Sequence, residues 1–264
     1  MISTVSEYVQ KNPKLALYAE HMNTLMIDND TILGEFKNMI SQKYEHHRPR
    51  LLILLGNPSL LLRDEYRELW GDIPIVLCSE EKFIGPKDTY IYKQPVTQAE
   101  RVPISQLADP YNLVLLYSNL YLRENIQLIS HIIPDMKKFI FIGDEREINQ
   151  TNNLEIQTKL KAINPNIEYQ YITPQKMTTN QLLDSLYHVD PNTTGILFAS
   201  WFYKTTFAGN TSLVTNAHKL IVTTTAPIFT LNMADITEEN GGMIGGYTYC
   251  LLYTSPSPRD PKTS

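Results

Sequence analysis

The most constraining feature of the sequence is a hydrophobic period that changes repeatedly between that of a strand and that of a helix. Short, continuously apolar runs at 51–55, 73–78 and 113–117 alternate with segments such as 30–44, where apolar residues recur every three or four positions. Continuous apolar runs are typical of parallel strands covered on both faces, and the longer period is typical of the covering helices. The pattern therefore predicts an α/β fold with parallel sheets.

The same reasoning predicts where the remaining elements lie. Further strands are expected at 14–19, 139–142, 167–172, 196–199 and 227–231, and further helices at 3–11, 60–69, 122–133, 153–163, 180–187 and 213–222. Asp30 is the expected N-cap of the helix at 30–44, and the run 51–55 is expected to be buried on both faces. The long break between 78 and 113 divides the units into two groups. We therefore expect two Rossmann-like lobes, 1–117 and 118–250, rather than a single barrel.

Composition excludes several classes of protein. The 264 residues are 42% hydrophobic and 19% charged, as in ordinary globular proteins. The net charge of -5 indicates no basic surface for nucleic acid. Cys78 and Cys250 lie far apart, which argues against a disulfide scaffold or a cysteine-rich zinc site. No apolar run reaches the ~18 residues of a membrane span, and the amino terminus lacks the pattern of a secretory signal.

Catalytic motifs with a fixed spacing are absent. The sequence has no Walker phosphate loop, no Gly-x-Ser-x-Gly elbow and no His-Glu-x-x-His zinc pair. The glycine-rich segment 240–245 lacks the first glycine of a dinucleotide fingerprint and is interpreted as a turn. The six histidines are scattered along the chain. We therefore expect no catalytic residue, no metal and no cofactor.

Polar and aromatic residues follow several predicted strands directly. In open α/β sheets ligands bind at the carboxyl ends of the strands, so these residues are expected to converge on one cleft. The candidate ligand contacts are Asn57, Ser59, Ser79 and Glu80 from the first lobe and Asp144, Arg146, Trp201 and Asn232 from the second. Their chemistry suits a polar small molecule that stacks on Trp201. Alternatively, Trp201 is an ordinary core aromatic.

An ordered series of segments gives the chain a family resemblance. The segments are 18–23, 51–54, 73–78, 134–142, 195–198, 227–229 and 241–247. Together they resemble type I periplasmic-binding-protein-like sensor domains. More narrowly, they resemble the ABC-transporter-substrate-binding-like input domains of bacterial hybrid two-component histidine kinases. The resemblance covers roughly residues 5–249, and no single motif in it is diagnostic.

The chain departs from that family at both ends. The family has an export signal and a strand before its first helix, so we expect that an amino-terminal strand is missing here. The family also continues past its Gly-Gly-Tyr segment to a membrane helix and a kinase. Residues 251–264 instead resemble translated sequencing-adapter read-through, and we interpret them as a non-native, disordered tail rather than a Ser/Pro-rich linker.

The resemblance implies a function that is not enzymatic. It implies an incomplete type I periplasmic-binding-protein fold that senses a small-molecule ligand outside the cytoplasm, in the periplasm, and signals by cleft closure. The membrane is expected only through missing flanking segments of a parent kinase, in which the module could form a homodimer. Two alternatives stay open: a free substrate-binding protein of an ABC importer, and an enzyme on a doubly wound scaffold.

Overall fold

Two separate parallel sheets organise the protein. The computed structural model describes residues 2–215, 221, 226–236 and 242–248. These residues form an α/β structure in which three strands before residue 118 build one parallel sheet and four strands from residue 138 onwards build the other. Two short antiparallel pairs, Phe83–Ile84 with Val102–Pro103 and Tyr203–Phe207 with Asn210–Val214, lie outside these sheets. The prediction of an α/β fold with parallel sheets is confirmed.

The elements are numbered in chain order. The helices are α1 (Ile2–Gln10), α2 (Asp30–Tyr44), α3 (Arg63–Trp70), α4 (Lys87–Ile91), α5 (Leu122–Ile132), α6 (Glu147–Ile163) and α7 (Thr179–Tyr187). The strands are β1 (Leu52–Leu55), β2 (Ile75–Ser79), β3 (Phe83–Ile84), β4 (Val102–Pro103), β5 (Leu113–Tyr117), β6 (Lys138–Ile142), β7 (Glu168–Ile172), β8 (Thr194–Phe198), β9 (Tyr203–Phe207), β10 (Asn210–Val214) and β11 (Ile228–Thr230). Short 3₁₀ helices occupy Asn57–Leu62, Gln98–Glu100, Ile104–Leu107 and Met233–Ile236.

The first sheet has the strand order β1-β2-β5 and is packed on one face. Leu54, Leu77 and Leu113 point into a core that α2 and α3 close from the outside. Trp70, at the end of α3, stacks on Tyr66 with ring centroids 5.6 Å apart. This face follows the expectation for apolar strands most closely in β2, where every second side chain is buried.

The other face of the first sheet is largely uncovered. Its side chains lie in register across the three strands: Ile53 with Val76 and Val114, and Leu55 with Cys78 and Leu116. We call these six residues the open face. Those on the two outer strands are between 39% and 59% exposed, whereas Val76 and Cys78 are half-buried. Parallel sheets are normally covered on both faces, so this is the least usual feature of the fold.

The second sheet is buried on both faces. Its strand order is β11-β8-β6-β7, with Phe141 beside Leu197 on one face and Ile140 beside Ile196 on the other. The first of these faces packs against α5 and α6, and the second packs against α7. All five residues of β8 are buried. Helices on both faces are the arrangement that continuously apolar parallel strands require.

Some predicted elements are wrong. Residues 14–19 form no strand; they are irregular and leave Leu15, Leu17 and Tyr18 exposed, because no neighbouring strand pairs with them. Asn29, not Asp30, caps α2, since its side chain accepts from the Ile32 amide at 2.9 Å. The run 51–55 is not buried on both faces, because it contributes to the open face.

The hairpin of β9 and β10 went unpredicted. The helix expected at 213–222 is wrong at its start, because Leu213 and Val214 end β10; most of its other residues lie outside the described ones. The exposed residues of the hairpin strands are mainly polar, so its sequence carries little apolar periodicity. The interpreted tail at 251–264 also lies outside the described residues.

Candidate functional site

A buried hydrogen-bond network stands at the carboxyl end of the first sheet. Asn57 directly follows the turn after β1, and its side-chain Nδ2 donates to Glu81 Oε2 at 3.1 Å and to the Phe83 carbonyl at 2.7 Å. Its Oδ1 accepts from the Ser79 hydroxyl at 2.6 Å. The same hydroxyl accepts from the Glu81 amide at 3.0 Å. Asn57 therefore ties the end of β1 to the end of β2 and fixes the position of the Glu81 carboxyl group.

A second network stands at the carboxyl end of the second sheet, with Asp144 at its centre. Asp144 is 0% exposed, and its carboxylate accepts from Arg146, from the Asn149 side chain at 2.9 Å and from the Ser200 hydroxyl at 2.7 Å. The Tyr171 hydroxyl donates to its backbone carbonyl at 2.7 Å. A buried carboxylate needs such partners, because removing a charge from water is costly. Asp144 thus joins the loops that follow β6 and β8 to the first turns of α6.

Arg101 connects the two ends. Its guanidinium lies 3.4 Å from Glu81 Oε1 on one side and donates to the carboxylate of Glu147, the first residue of α6, on the other. It also donates to the Thr151 hydroxyl, one turn further along α6. We call Glu81, Arg101, Glu147 and Thr151 the polar bridge. It links the first sheet's loops to a helix that covers the second sheet.

Burial shapes the electrostatics of the polar bridge. The side chains of Arg101, Glu81 and Glu147 are 6%, 8% and 3% exposed. Desolvation raises the pKa of Glu81 well above its ordinary range, and a hydrogen bond with the Glu147 carboxyl group raises it further, while the charge of Arg101 opposes both. Two buried carboxyl groups therefore face one guanidinium, that of Arg101.

A more accessible rim borders the polar bridge. Glu80 is solvent exposed, yet partial desolvation raises its pKa, with the charge of Arg146 acting in the opposite direction. Arg146 lies over the Phe202 ring, 4.7 Å from the ring centroid to the guanidinium carbon. Lys82 lies over the Tyr117 ring at 4.5 Å. Charged groups of both signs and aromatic faces thus occur together at the ends of the two sheets, which suits recognition of a polar molecule.

Among the described lysines and arginines, Lys93 has the pKa that departs furthest from its ordinary value. Desolvation lowers the pKa of Lys93 to about 8, and the nearby ammonium group of Lys204 acts in the same direction. The Lys93 ammonium group donates to the Thr24 carbonyl at 2.9 Å. Gln150 of α6 donates to the Lys93 backbone carbonyl at 3.2 Å. Lys93 therefore holds the segment before α2 next to the contact between the two sheets.

The predicted contact residues divide into two groups. Asn57 and Ser79 are hydrogen-bonded to each other. Asp144 and Arg146 form an ion pair at 2.9 Å. The charge of Arg146 also lowers the pKa of Glu80, against the effect of burial. These five residues surround the polar bridge or its rim. Asn57, Ser79 and Asp144 are buried with protein partners, so Glu80 and Arg146 are the members of this group that solvent reaches.

The structure places the other three predicted residues elsewhere. The Ser59 hydroxyl donates to the Gly56 carbonyl at 2.6 Å within its own turn. Trp201 is 1% exposed in the core beside α7, and its indole donates to Thr179 at 3.0 Å. This burial agrees with the alternative of an ordinary core aromatic. Asn232 is exposed after β11, and its amide donates to the Thr230 hydroxyl.

Sequence reasoning missed Arg101, Glu147 and Thr151 as members of a site. Arg101 lies in the stretch between 78 and 113, where no periodicity indicates which side chains point inward. The burial of Glu81 could have been predicted. Buried and less buried side chains alternate along β2, and the alternation continues from buried Ser79 through exposed Glu80 to buried Glu81. No comparable pattern identifies a bridge in which the partners of Arg101 lie 20 to 50 residues from it in sequence.

Other possible sites in the described part of the chain are weaker. No group of three or more His, Cys, Asp or Glu side chains there is arranged to hold a metal ion. A shallow depression of about 510 Å³ runs along the surface of α2, and a recess of about 10 Å³ lies beside α3. No residue of the polar bridge lines either of them. None of the described helices has the length and apolar character that crossing a membrane demands.

Comparison of the chain with protein-family models, with curated proteins and with solved structures gives no match. Function must therefore be argued from the geometry of this chain.

Proposed function

We propose that the chain is a two-lobed binding module of the type I periplasmic-binding-protein kind, which senses a polar small molecule and signals to a kinase by closing the cleft between its lobes. The observation that carries the proposal is the separation of the apolar cores. Among the described residues, the buried apolar clusters of the first sheet and those of the second share no member. Ion pairs and hydrogen bonds join the two parts.

The polar character of those contacts supports a moving cleft. Besides the polar bridge, they include the ion pair of Lys204 with Asp28 and the hydrogen bond from Gln150 to the Lys93 carbonyl. Interfaces of this kind between domains permit relative motion, because little apolar surface has to be exposed when they open. A ligand that contacts both sides would favour one arrangement by its differential affinity.

Position in the fold supports the location of the binding site. Glu80 follows β2 and Arg146 follows β6, so both stand at the carboxyl ends of parallel strands, where open α/β sheets bind ligands. A carboxylate and a guanidinium from opposite sides suit a ligand with hydroxyl, amino or carboxyl groups. The same geometry would serve a free importer-type binding protein, which differs in its partners and not in its cleft.

A thermal-shift screen of the whole chain tests the proposal. Sugars, nucleosides, amino acids and short organic acids are each added over a range of concentrations. We expect one class to raise the melting temperature, because binding to the native state alone stabilises it by mass action. Recovery of the active compound unchanged after long incubation would separate binding from turnover.

Two glutamate variants locate the binding site. Glu80→Gln removes a charge at the rim. We expect this variant to need at least tenfold more ligand for the same rise in melting temperature. Glu155→Gln removes the same charge from an exposed position on α6 and is expected to leave the shift unchanged. A cooperative melt that no compound class shifts would contradict the proposal.

A further inference from the structure

The polar bridge contains more negative charge than its cation can balance. Glu81 and Glu147 face a single guanidinium, that of Arg101, and all three side chains are nearly excluded from water. With both carboxyl groups ionised, the cluster would hold a net negative charge in a buried place. With one proton between them it is neutral, which is the state that burial favours.

Apart from Arg101, the groups that the structure records in contact with the two carboxyl groups are neutral. Lys82 and Arg146, the cations next to them in sequence, lie instead over the rings of Tyr117 and Phe202. Asn57 donates to Glu81, and the Thr151 hydroxyl lies 3.3 Å from Glu147. Tyr90 of α4 is close enough that the charges of Glu147 and Glu81 add to the desolvation that raises its pKa. Burial raises the pKa of Tyr117 at the end of β5, and the charges of Glu155, Glu80 and Glu81 raise it further. None of these neighbours replaces the missing positive charge.

The bridge also crosses the contact between the two parts of the protein. Glu81 is fixed at the end of β2 through Asn57 and Ser79, whereas Glu147 begins α6 and moves with the second sheet. Separation of the parts must therefore pull the two carboxyl groups away from each other. Glu81 would then be hydrated and would ionise in its ordinary range.

We propose that the polar bridge is a proton-dependent interlock, in which the buried Glu81 carboxyl group holds a proton while the two sheets are held together and loses it to solvent when the sheets separate. This goes beyond ligand binding, because it couples the relative position of the sheets to pH with no ligand present. Any ligand that moves the sheets apart would release a proton, and one that draws them together would take a proton up.

The direction of the coupling follows from the raised pKa of Glu81. A carboxyl group whose pKa is higher in the joined state stabilises that state fully below its ordinary range, and this stabilisation is lost as the pH rises above it. One such proton changes the equilibrium between joined and separated states by at most about tenfold per pH unit. Neutral and alkaline conditions therefore favour separation.

Equilibrium unfolding of the whole chain between pH 5.0 and 7.5 is the first test. This range lies below the pKa of about 8 of Lys93, whose titration would act in the opposite sense. We expect the folding constant of the unmodified chain to fall with pH. Glu147→Gln supplies an amide that can donate to Glu81 without a titrating proton, and it is expected to reduce the slope by up to about tenfold per pH unit.

Further variants keep the test interpretable. Glu155→Gln on the same helix, exposed and outside the bridge, is expected to retain the original slope. Glu81→Gln repeats the test from the other side of the bridge if Glu147→Gln does not fold. If neither bridge variant differs in slope from Glu155→Gln, the proton on Glu81 is refuted.

A distance measurement tests the interlock itself. Spin labels at Glu68 on α3 and Lys161 on α6, both exposed, report the separation of the two parts after Cys78 and Cys250 are replaced by serine. We expect a longer-distance population that grows from pH 5.0 to 7.5 and is suppressed in Glu147→Gln. An unchanged distance distribution, even with a pH-dependent folding constant, would overturn the interlock.

Discussion

The two parallel sheets are made from similar apolar strands but are covered differently. Every residue of β8 in the second sheet is buried, and helices lie on both of its faces. In the first sheet, β1 and β5 bury one face and leave the open face to solvent. An apolar strand sequence therefore specifies a parallel sheet but does not specify that helices cover both of its faces. Because the two sheets bury different amounts of apolar surface, we expect them to differ in stability.

A matched pair of isoleucines gives the largest expected contrast. Ile140 on β6 is 1% exposed, whereas Ile53 on β1 belongs to the open face. Ile140→Ala is expected to cost about 2–5 kcal/mol of unfolding free energy, because it leaves a cavity in a closed core. Ile53→Ala is expected to cost about 1 kcal/mol or less, since solvent already reaches the side chain. Urea denaturation measures both, and equal costs would remove the distinction.

Two glycines sharpen the contrast in packing. A Cβ atom on Gly195 of β8 would lie 2.6 Å from Ile129 of α5, whereas one on Gly34 of α2 would meet nothing within 4 Å. Gly195→Ala is therefore expected to destabilise by about 1–3 kcal/mol through overpacking. Gly34→Ala is expected to stabilise by about 0.4–1 kcal/mol, because it restricts the unfolded chain. A destabilising Gly34→Ala would show that α2 is packed more tightly than the structure indicates.

We expect helix caps to contribute equally to the unfolding free energy in both parts, because a cap acts locally. Asn29 caps α2 and Thr178 caps α7, each by accepting a hydrogen bond from the helix backbone. Replacement of either by alanine is expected to cost about 1 kcal/mol. Hydrogen exchange should locate the Asn29→Ala effect in the first sheet's part and the Thr178→Ala effect in the second's. Faster exchange throughout the chain from either variant would mean that the parts unfold together.

Polar substitution on the open face should have the smallest effect on stability. Val114→Thr keeps the shape of an exposed side chain and is expected to change the unfolding free energy by less than about 0.5 kcal/mol. It should lower the binding of an environment-sensitive dye, because contiguous exposed apolar surface is what such dyes bind. Phe207→Ser, at the exposed hairpin of β9 and β10, serves as the control for an apolar residue outside the face. A large loss of stability in Val114→Thr would mean that the face is covered.

Sequence periodicity predicted most strands and helices because it reports local alternation. The strand β5 was predicted with its bounds, and α2 likewise, since both carry uninterrupted periods. The segment 14–19 has the same local character but no partner strand, and pairing is not encoded locally. The exposure of Ile53 was missed for a related reason: a continuous apolar run does not reveal whether a helix covers the second face.

The site was predictable where it follows strand ends and not where it depends on loops. Asn57 and Ser79 stand at the ends of the neighbouring strands β1 and β2, so topology alone brings them together. Asp144 follows β6 and stands at the corresponding end of the second sheet. Arg101 comes from an aperiodic stretch, and its partners are defined only by the tertiary fold. Trp201 has the composition of a ligand-stacking residue, but its place beside α7 follows from packing that the sequence does not display.

Hydrogen exchange of the unmodified chain, resolved by segment, tests most directly the claim that the chain holds two separately packed parts. We expect amides of β6 and β8 to exchange only through the slowest opening, and those of β1, β2 and β5 to exchange through a separate opening of lower free energy. Equal protection of both sheets, lost together in one cooperative event, would contradict this account.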